Sequence, residues 1–196
     1  MASTTADLDL RARLVAATAT IIEAHGPFAV RIDEVARRAG CSRATVYRHV
    51  ADKDELVREV LIGRATAIAE RLEAEIDEDG DPADWIVEGL LRHADAVRAE
   101  PWYRALEREG AIASVARVGG GPDALIGLAA PLVARFLERL AARGALRPGI
   151  TLEDATEWLV GVHLALLDPV FPDRTRERRA AMLRTFVAYP LLAPGT

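Results

Sequence analysis

Between Arg37 and Lys53 the chain gathers five cations, Arg37, Arg38, Arg43, Arg48 and Lys53, against one acid, Asp52. The local balance is +4, in a chain whose net charge is −5. A positive island on an acidic protein suits a polyanion. The same arginines would also make an ordinary solvated helix face, so charge alone does not decide. Residue type narrows the chemistry. Arginine can bond guanine O6 and N7 together, and a small side chain can meet the thymine methyl. Arg43 suits the first task, and Ala44 and Thr45 the second. Tyr47, His49 and Lys53 are better placed for phosphate. Lys53 is the only lysine among the 25 cations, and it precedes a helix start whose dipole also favours an anion. Arg48 fits a DNA contact or a solvated pair equally well. Ser42 and Arg31 complete the candidate set, at the starts of two helices.

Those side chains need a rigid mount, and the spacing around them supplies one. Ile32–Ala39 and Arg43–Val50 read as two short helices. Gly40 sits where the first must stop, and glycine accepts the left-handed conformation of such a stop. Ser42 can accept a hydrogen bond from the free N–H groups of the second. Ala36 is small enough for a close helix crossing, and Val46 packs the second helix back onto the first. That is a helix-turn-helix, whose second helix enters the DNA major groove.

Val35-Ala36-Arg37-Arg38-Ala39-Gly40-Cys41-Ser42, then Thr45-Val46-Tyr47-Arg48-His49, then Lys53-Asp54-Glu55-Leu56 resembles the signature of the tetracycline-repressor (TetR) family of transcriptional regulators. Gly26 stands where that family closes its first helix. The resemblance covers roughly Leu14–Leu56. It implies phosphate contacts for Tyr47, His49 and Lys53, a helical pocket for a small molecule, and a homodimer formed through the last two long helices. Two positions depart from the family pattern. Val30-Arg31 replaces a capping Ser or Thr that often touches phosphate, which puts that contact in doubt unless Arg31 reaches phosphate itself. Val50 replaces a customary Phe and shortens a plug.

The remaining residues agree with a helical chain. Hydrophobic content is 51% but aromatic content is only 5%, which favours helices over sheets. The fold class expected is all-α: a three-helix N-terminal head at 1–55, joined by a long helix to a ligand-binding and dimerisation domain at 56–196. The spacing predicts a first helix through Leu10, Leu14, Ala17, Ile21 and Ile22, after an unstructured stretch at 1–7. It then predicts a capping box at Asp52–Glu55 and a long helix to about Asp77. Helices follow at Ala83–Ala99, from Pro101, from Asp123 to Arg143 with a kink or break at Pro131, at Leu152–Leu167, and from an Asp173 cap to about Tyr189. Gly119-Gly120-Gly121-Pro122 reads as a loop.

No catalytic motif is present: no Gly-x-Ser-x-Gly, no phosphate loop, no His-Glu-x-x-His. No cofactor is expected. The four histidines, His25, His49, His93 and His163, lie far apart in sequence. His93 and His163 are the pair a metal would need, but histidines satisfied by their neighbours are commoner, so no metal is expected either. Ile68, Leu72, Trp85, His93, Trp102, Tyr103 and Trp158 are candidates to line a pocket, each with a core or interface reading beside it. Cys41 is the single cysteine; it fits a reducing cytosol and a packing role in the turn. No targeting or membrane segment is visible, so a cytoplasmic site is expected. The expected partners are a two-fold double-stranded DNA operator, a small effector and a second copy of the chain. The competing readings are a helical dimeric interaction module, or a metal-binding or enzymatic helical protein, neither with specific DNA binding.

Overall fold

Gly40 explains why α2 (Ile32–Ala39) stops. It has φ 68° and ψ 39°, the left-handed conformation, and its N–H and that of Cys41 return to carbonyls of the last turn. Cys41 N–H donates to Ala36 O at 3.0 Å and Gly40 N–H to Arg37 O at 3.4 Å, which satisfies carbonyls the helix leaves free. Ser42 then starts α3 (Arg43–His49) by accepting from Thr45 N–H at 3.1 Å. The end of α2 and the start of α3 therefore have local causes.

In a computed structural model of the chain, residues 2–75, 80–108, 122–167 and 175–194 are described. Besides α2 and α3 they form α1 (Ala2–His25), α4 (Lys53–Glu73), α5 (Pro82–Ala99), α6 (Pro101–Arg108), α7 (Pro122–Ala142), α8 (Leu152–Leu166), α9 (Arg176–Leu183) and a short α10 (Tyr189–Leu191). A π-helical turn, Arg184–Ala188, joins α9 to α10. The fold is all-α, and among the described residues the sole β pairing is one antiparallel bridge, Leu146 with Leu192.

The chain divides into two compact units, Met1–Arg64 with Glu100–Ala124, and Ala65–Ala99 with Leu125–Thr196. The first is built on α1. Its apolar face buries Leu14, Ile21 and Ile22 with Val35 of α2, Val46 of α3 and Leu56 of α4. Gly26 ends α1 with φ 83°, and a Cβ there would stand 3.4 Å from the Ala105 side chain. The second unit has its own core. Trp85, Ile86 and Leu91 of α5 pack with Leu137 and Leu140 of α7, Leu159 of α8, and Leu183 and Val187 near the C-terminus. The helix α4 is continuous from Lys53 to Glu73 and passes from the first unit into the second.

Several elements differ from expectation. Residues 2–7, expected to be unstructured, belong to α1, whose sequence from Ala2 to His25 contains no glycine or proline to stop a helix. The helix α4 ends at Glu73 rather than near Asp77. Pro131 is exposed and does not break α7, which runs through it as one element. The last helix is capped by Thr175, which accepts from Arg178 N–H. The expected Asp173 cap and the Gly119–Gly121 loop lie outside the described residues. The π turn precedes Pro190, whose ring would collide with the carbonyl four residues back in an α-helix; Tyr189 N–H bonds instead to Arg184 O, five residues back.

Candidate DNA-binding site

The second helix of the pair presents its side chains almost entirely to solvent. Arg43, Ala44, Tyr47 and Arg48 are exposed, Thr45 and His49 are half-buried, and Val46 is fully buried as the helix's attachment to the core. The Ser42 hydroxyl lies 2.8 Å from Thr45 Oγ1 as well as accepting the Thr45 N–H. This polar candidate is thus engaged by the cap. Tyr47 keeps 51% of its surface exposed, enough for its hydroxyl to reach a phosphate. Arg31 is exposed at the start of α2, and no side chain caps that helix. The structure brings Ser42, Arg43, Ala44, Thr45, Tyr47, Arg48 and His49 onto one short helix and its cap, with Lys53 opening the next helix.

The basic island is less positive than its window suggested. Extending the window to Arg31–Glu55 adds one arginine and four acids, so six cations meet five acids, a balance of +1. Those flanking acids hold the cations. Glu34 binds Arg37 at 2.6 Å and Arg38 at 2.5 Å. The two guanidiniums, Arg37 first, pull the Glu34 carboxyl down to about 2. Arg43 Nε stands 2.9 Å from the Asp33 carboxylate, and Lys53 Nζ 3.1 Å from that of Asp54. Among the described residues, Arg48 is the member of the island with no ion-pair partner.

Arg11 of α1 is a residue the sequence reading missed. Its guanidinium donates to the His49 carbonyl at 2.7 Å, to Glu55 at 2.8 Å and to Glu59 at 2.6 Å. It thereby ties the last turn of α3 to the first two turns of α4. The bond to Glu55 is the chief reason that the Arg11 pKa is raised. Burial alone would raise the Glu55 carboxyl, but the Ala51 N–H and Arg11 outweigh it and hold it low. Glu55 also completes the capping box: Asp52 accepts from Glu55 N–H at 2.8 Å while Glu55 accepts from Ala51 N–H at 2.7 Å. No local pattern reveals partners 38 to 48 positions away.

The candidate pocket residues divide between the units. Trp102 and Tyr103 are buried on α6 in the first, and Trp102 Nε1 has no hydrogen-bond partner among the described residues. Ile68, Leu72, Trp85, His93 and Trp158 belong to the second. Trp85 is buried with the Arg143 guanidinium 4.5 Å from its ring centroid, and Trp158 is exposed on α8. His93 meets His163, with 3.0 Å between Nδ1 and Nε2, and lies 2.9 Å from the Ala65 carbonyl. Among the described residues no cluster of three or more His, Cys, Asp or Glu could hold a metal, and no helix is long and apolar enough to cross a membrane.

Residues 14–60 match the family model for bacterial regulatory proteins of the tetR family. An uncharacterised HTH-type transcriptional regulator of Mycobacterium tuberculosis, Rv1255c, is 26% identical over 189 residues, covering 94% of this chain and 86% of that protein. The transcriptional repressor QsdR of R. erythropolis shares the fold with a TM-score of 0.75 at 22% identity, over 93% of this chain and 95% of that one. RolR, solved as a complex with resorcinol, gives a TM-score of 0.66 at 21% identity, over 92% of this chain and 88% of that one. A capped helix-turn-helix in an all-helical chain, matched by a family model over that stretch, defines a DNA-binding transcriptional regulator. Residues 14–60 carry the likeness to the tetR family of bacterial regulatory proteins.

Proposed function

We propose that the chain is a homodimeric, cytoplasmic repressor that leaves its operator when a small molecule binds. The observation that carries the DNA half is the helix Arg43–His49, held by Val46 and with four of its side chains exposed. On this reading Arg43 reads a guanine, Ala44 and Thr45 meet neighbouring bases, and Arg31, Ser42, Tyr47, Arg48, His49 and Lys53 position the phosphates. The head would be 1–55 and the regulatory part 56–196. A single seven-residue helix reads few base pairs, and a two-fold dimer doubles the site.

Trp158, Met182, Phe186 and Tyr189, all of the second unit, are exposed large apolar residues, with Phe186 68% exposed. A second copy of the chain covers such a set, and Trp158 is better assigned to that face than to a pocket. The resorcinol complex of RolR supports a small aromatic effector here as well. Ile68, Leu72 and His93 are its proposed contacts, with Trp85 as a further candidate. A continuous α4 gives the effector a covalent route to the head.

A gel-shift assay on the chain's own upstream DNA tests the reading, with a specific complex of two protomers per operator expected. No complex on any genomic fragment would overturn it. Phe186→Glu buries a charge without a partner, so monomers are expected in analytical ultracentrifugation with helix content intact. A variant that stays dimeric would move the interface elsewhere.

A further inference from the structure

The half-buried histidine pair fixes its own protons. The Ala65 carbonyl has no hydrogen to give, so the N–H of that 2.9 Å contact belongs to His93 Nε2. Burial keeps both rings neutral: it lowers His93, and burial first and His93 second push His163 down to about 3. A neutral His93 with its proton on Nε2 has a bare Nδ1. The 3.0 Å contact therefore requires His163 Nε2 to donate to it. The chain of donors runs from His163 to His93 to Ala65 and leaves His163 Nδ1 as a bare acceptor. Among the described residues nothing meets that atom.

Its surroundings are apolar and incompletely closed. Leu159 and Val160 of α8 are buried, yet every residue from Val162 to Leu166 is only partly buried. Leu90 and Leu166, each three residues along its helix from one of the histidines, pack against the second unit's core, and Ile68 lies one turn from Ala65 on α4. Asp95, two residues from His93 on α5, is committed to Arg176. Among the described residues no acid contacts the pair, and burying a cation without a counter-charge is costly. A neutral hydroxyl needs none.

We infer that His163 Nδ1 is the polar anchor of an effector site for a small, mainly apolar alcohol or phenol, whose O–H donates to it. His93 is the positioning residue that sets the tautomer. This rests on the ligand-responsive reading above, and it names the chemistry that reading leaves open. The selectivity is for a donor: a methyl ether of the same shape leaves the acceptor unmet.

The test uses the full-length protein labelled with ¹⁵N-histidine, with phenol and anisole as matched probes. Long-range ¹H–¹⁵N spectra at neutral pH are expected to show both rings protonated on Nε2. Phenol should shift the His163 Nδ1 resonance towards a hydrogen-bonded position, and anisole should not. Calorimetry should give phenol at least tenfold tighter than anisole, and His163→Phe should erase that ratio. If that variant fails to fold, His93→Gln reports the same relay through the His163 spectrum, where loss of the single tautomer is expected. A His163 ring protonated on Nδ1, equal binding of phenol and anisole, or no response to phenol would each overturn the inference. A gel-shift assay runs in parallel. DNA binding without a phenol response removes the anchor alone, and a phenol response without DNA binding removes the regulator reading and leaves the anchor.

Discussion

The two units use polar residues in opposite ways. In the first, the polar side chains of α3 face solvent, and the acids around them, Asp33, Glu34 and Asp54, sit on the same surface as the cations they pair. In the second, two half-buried histidines bond to one another, and one of them to a helix carbonyl. Outward polar groups cost little to change and stand ready for a charged partner. Inward ones are costly to disturb, and they specify what fits beside them. The proposed function uses both: a surface that trades ion pairs for phosphates, and an interior that discriminates among small molecules.

That contrast can be broken at its apolar foundation first. Leu140 is fully buried in the second core. Leu140→Ala should cost about 2–5 kcal/mol in urea unfolding followed by the fluorescence of Trp85, buried in the same core. A cost below 1 kcal/mol would mean that this core is loosely packed.

Arg43→Ala should cost about 1–3 kcal/mol on the operator and relax preference at one base pair. The urea midpoint should be unchanged, because the pair with Asp33 is exposed on both sides. Unchanged operator affinity in an anisotropy titration would show that Arg43 reads no base.

Acid sharpens the contrast. Folded His163 sits at about 3 against an ordinary value of 6.5, and His93 is lowered too. The unfolded chain therefore binds protons first, and stability present above about pH 6.5 is lost as pH falls towards 3. The exposed Glu34, at about 2 when folded, acts in a lower window, between 4.5 and 2. Urea midpoints should thus drop between pH 7 and pH 5, and a His93→Phe, His163→Phe double variant should lose most of that drop. A parallel decline in both proteins would remove the pair as its source.

The smallest expected effect is at Lys53. Lys53→Ala should weaken specific and non-specific DNA alike and reduce the salt slope by about one. A loss confined to one operator would show that Lys53 reads sequence.

How much of this was visible in the chain depends on distance along it. The Gly40 stop, the Ser42 cap and the Asp52–Glu55 box depend on residues within five positions of one another, and they formed at the places their spacing indicated. The charge of the head was misjudged because Asp33, Glu34 and Asp54 lie just beyond the counted window, although they are close in space. Arg11 was illegible, since nothing in the 38 intervening residues encodes the meeting, whereas His93 and His163 were paired only as what a metal would need, and no local spacing across 70 residues announced their direct contact. Pro190 did carry a local signal, and the π turn ahead of it follows from the missing N–H.

The burial of Val46 as the one fully buried side chain of α3 has an evolutionary consequence. Exchanges at exposed sites typically move stability by no more than about 0.5 kcal/mol. Arg43, Ala44, Tyr47 and Arg48 are exposed, so mutation can explore them with little risk to folding, while Val46, fully buried, has almost no freedom. After a gene duplication, one copy can drift to a new operator through those four positions while its inward-facing effector chemistry stays intact. Lineages descended from this chain should therefore diverge in the promoters they recognise sooner than in the molecules they sense.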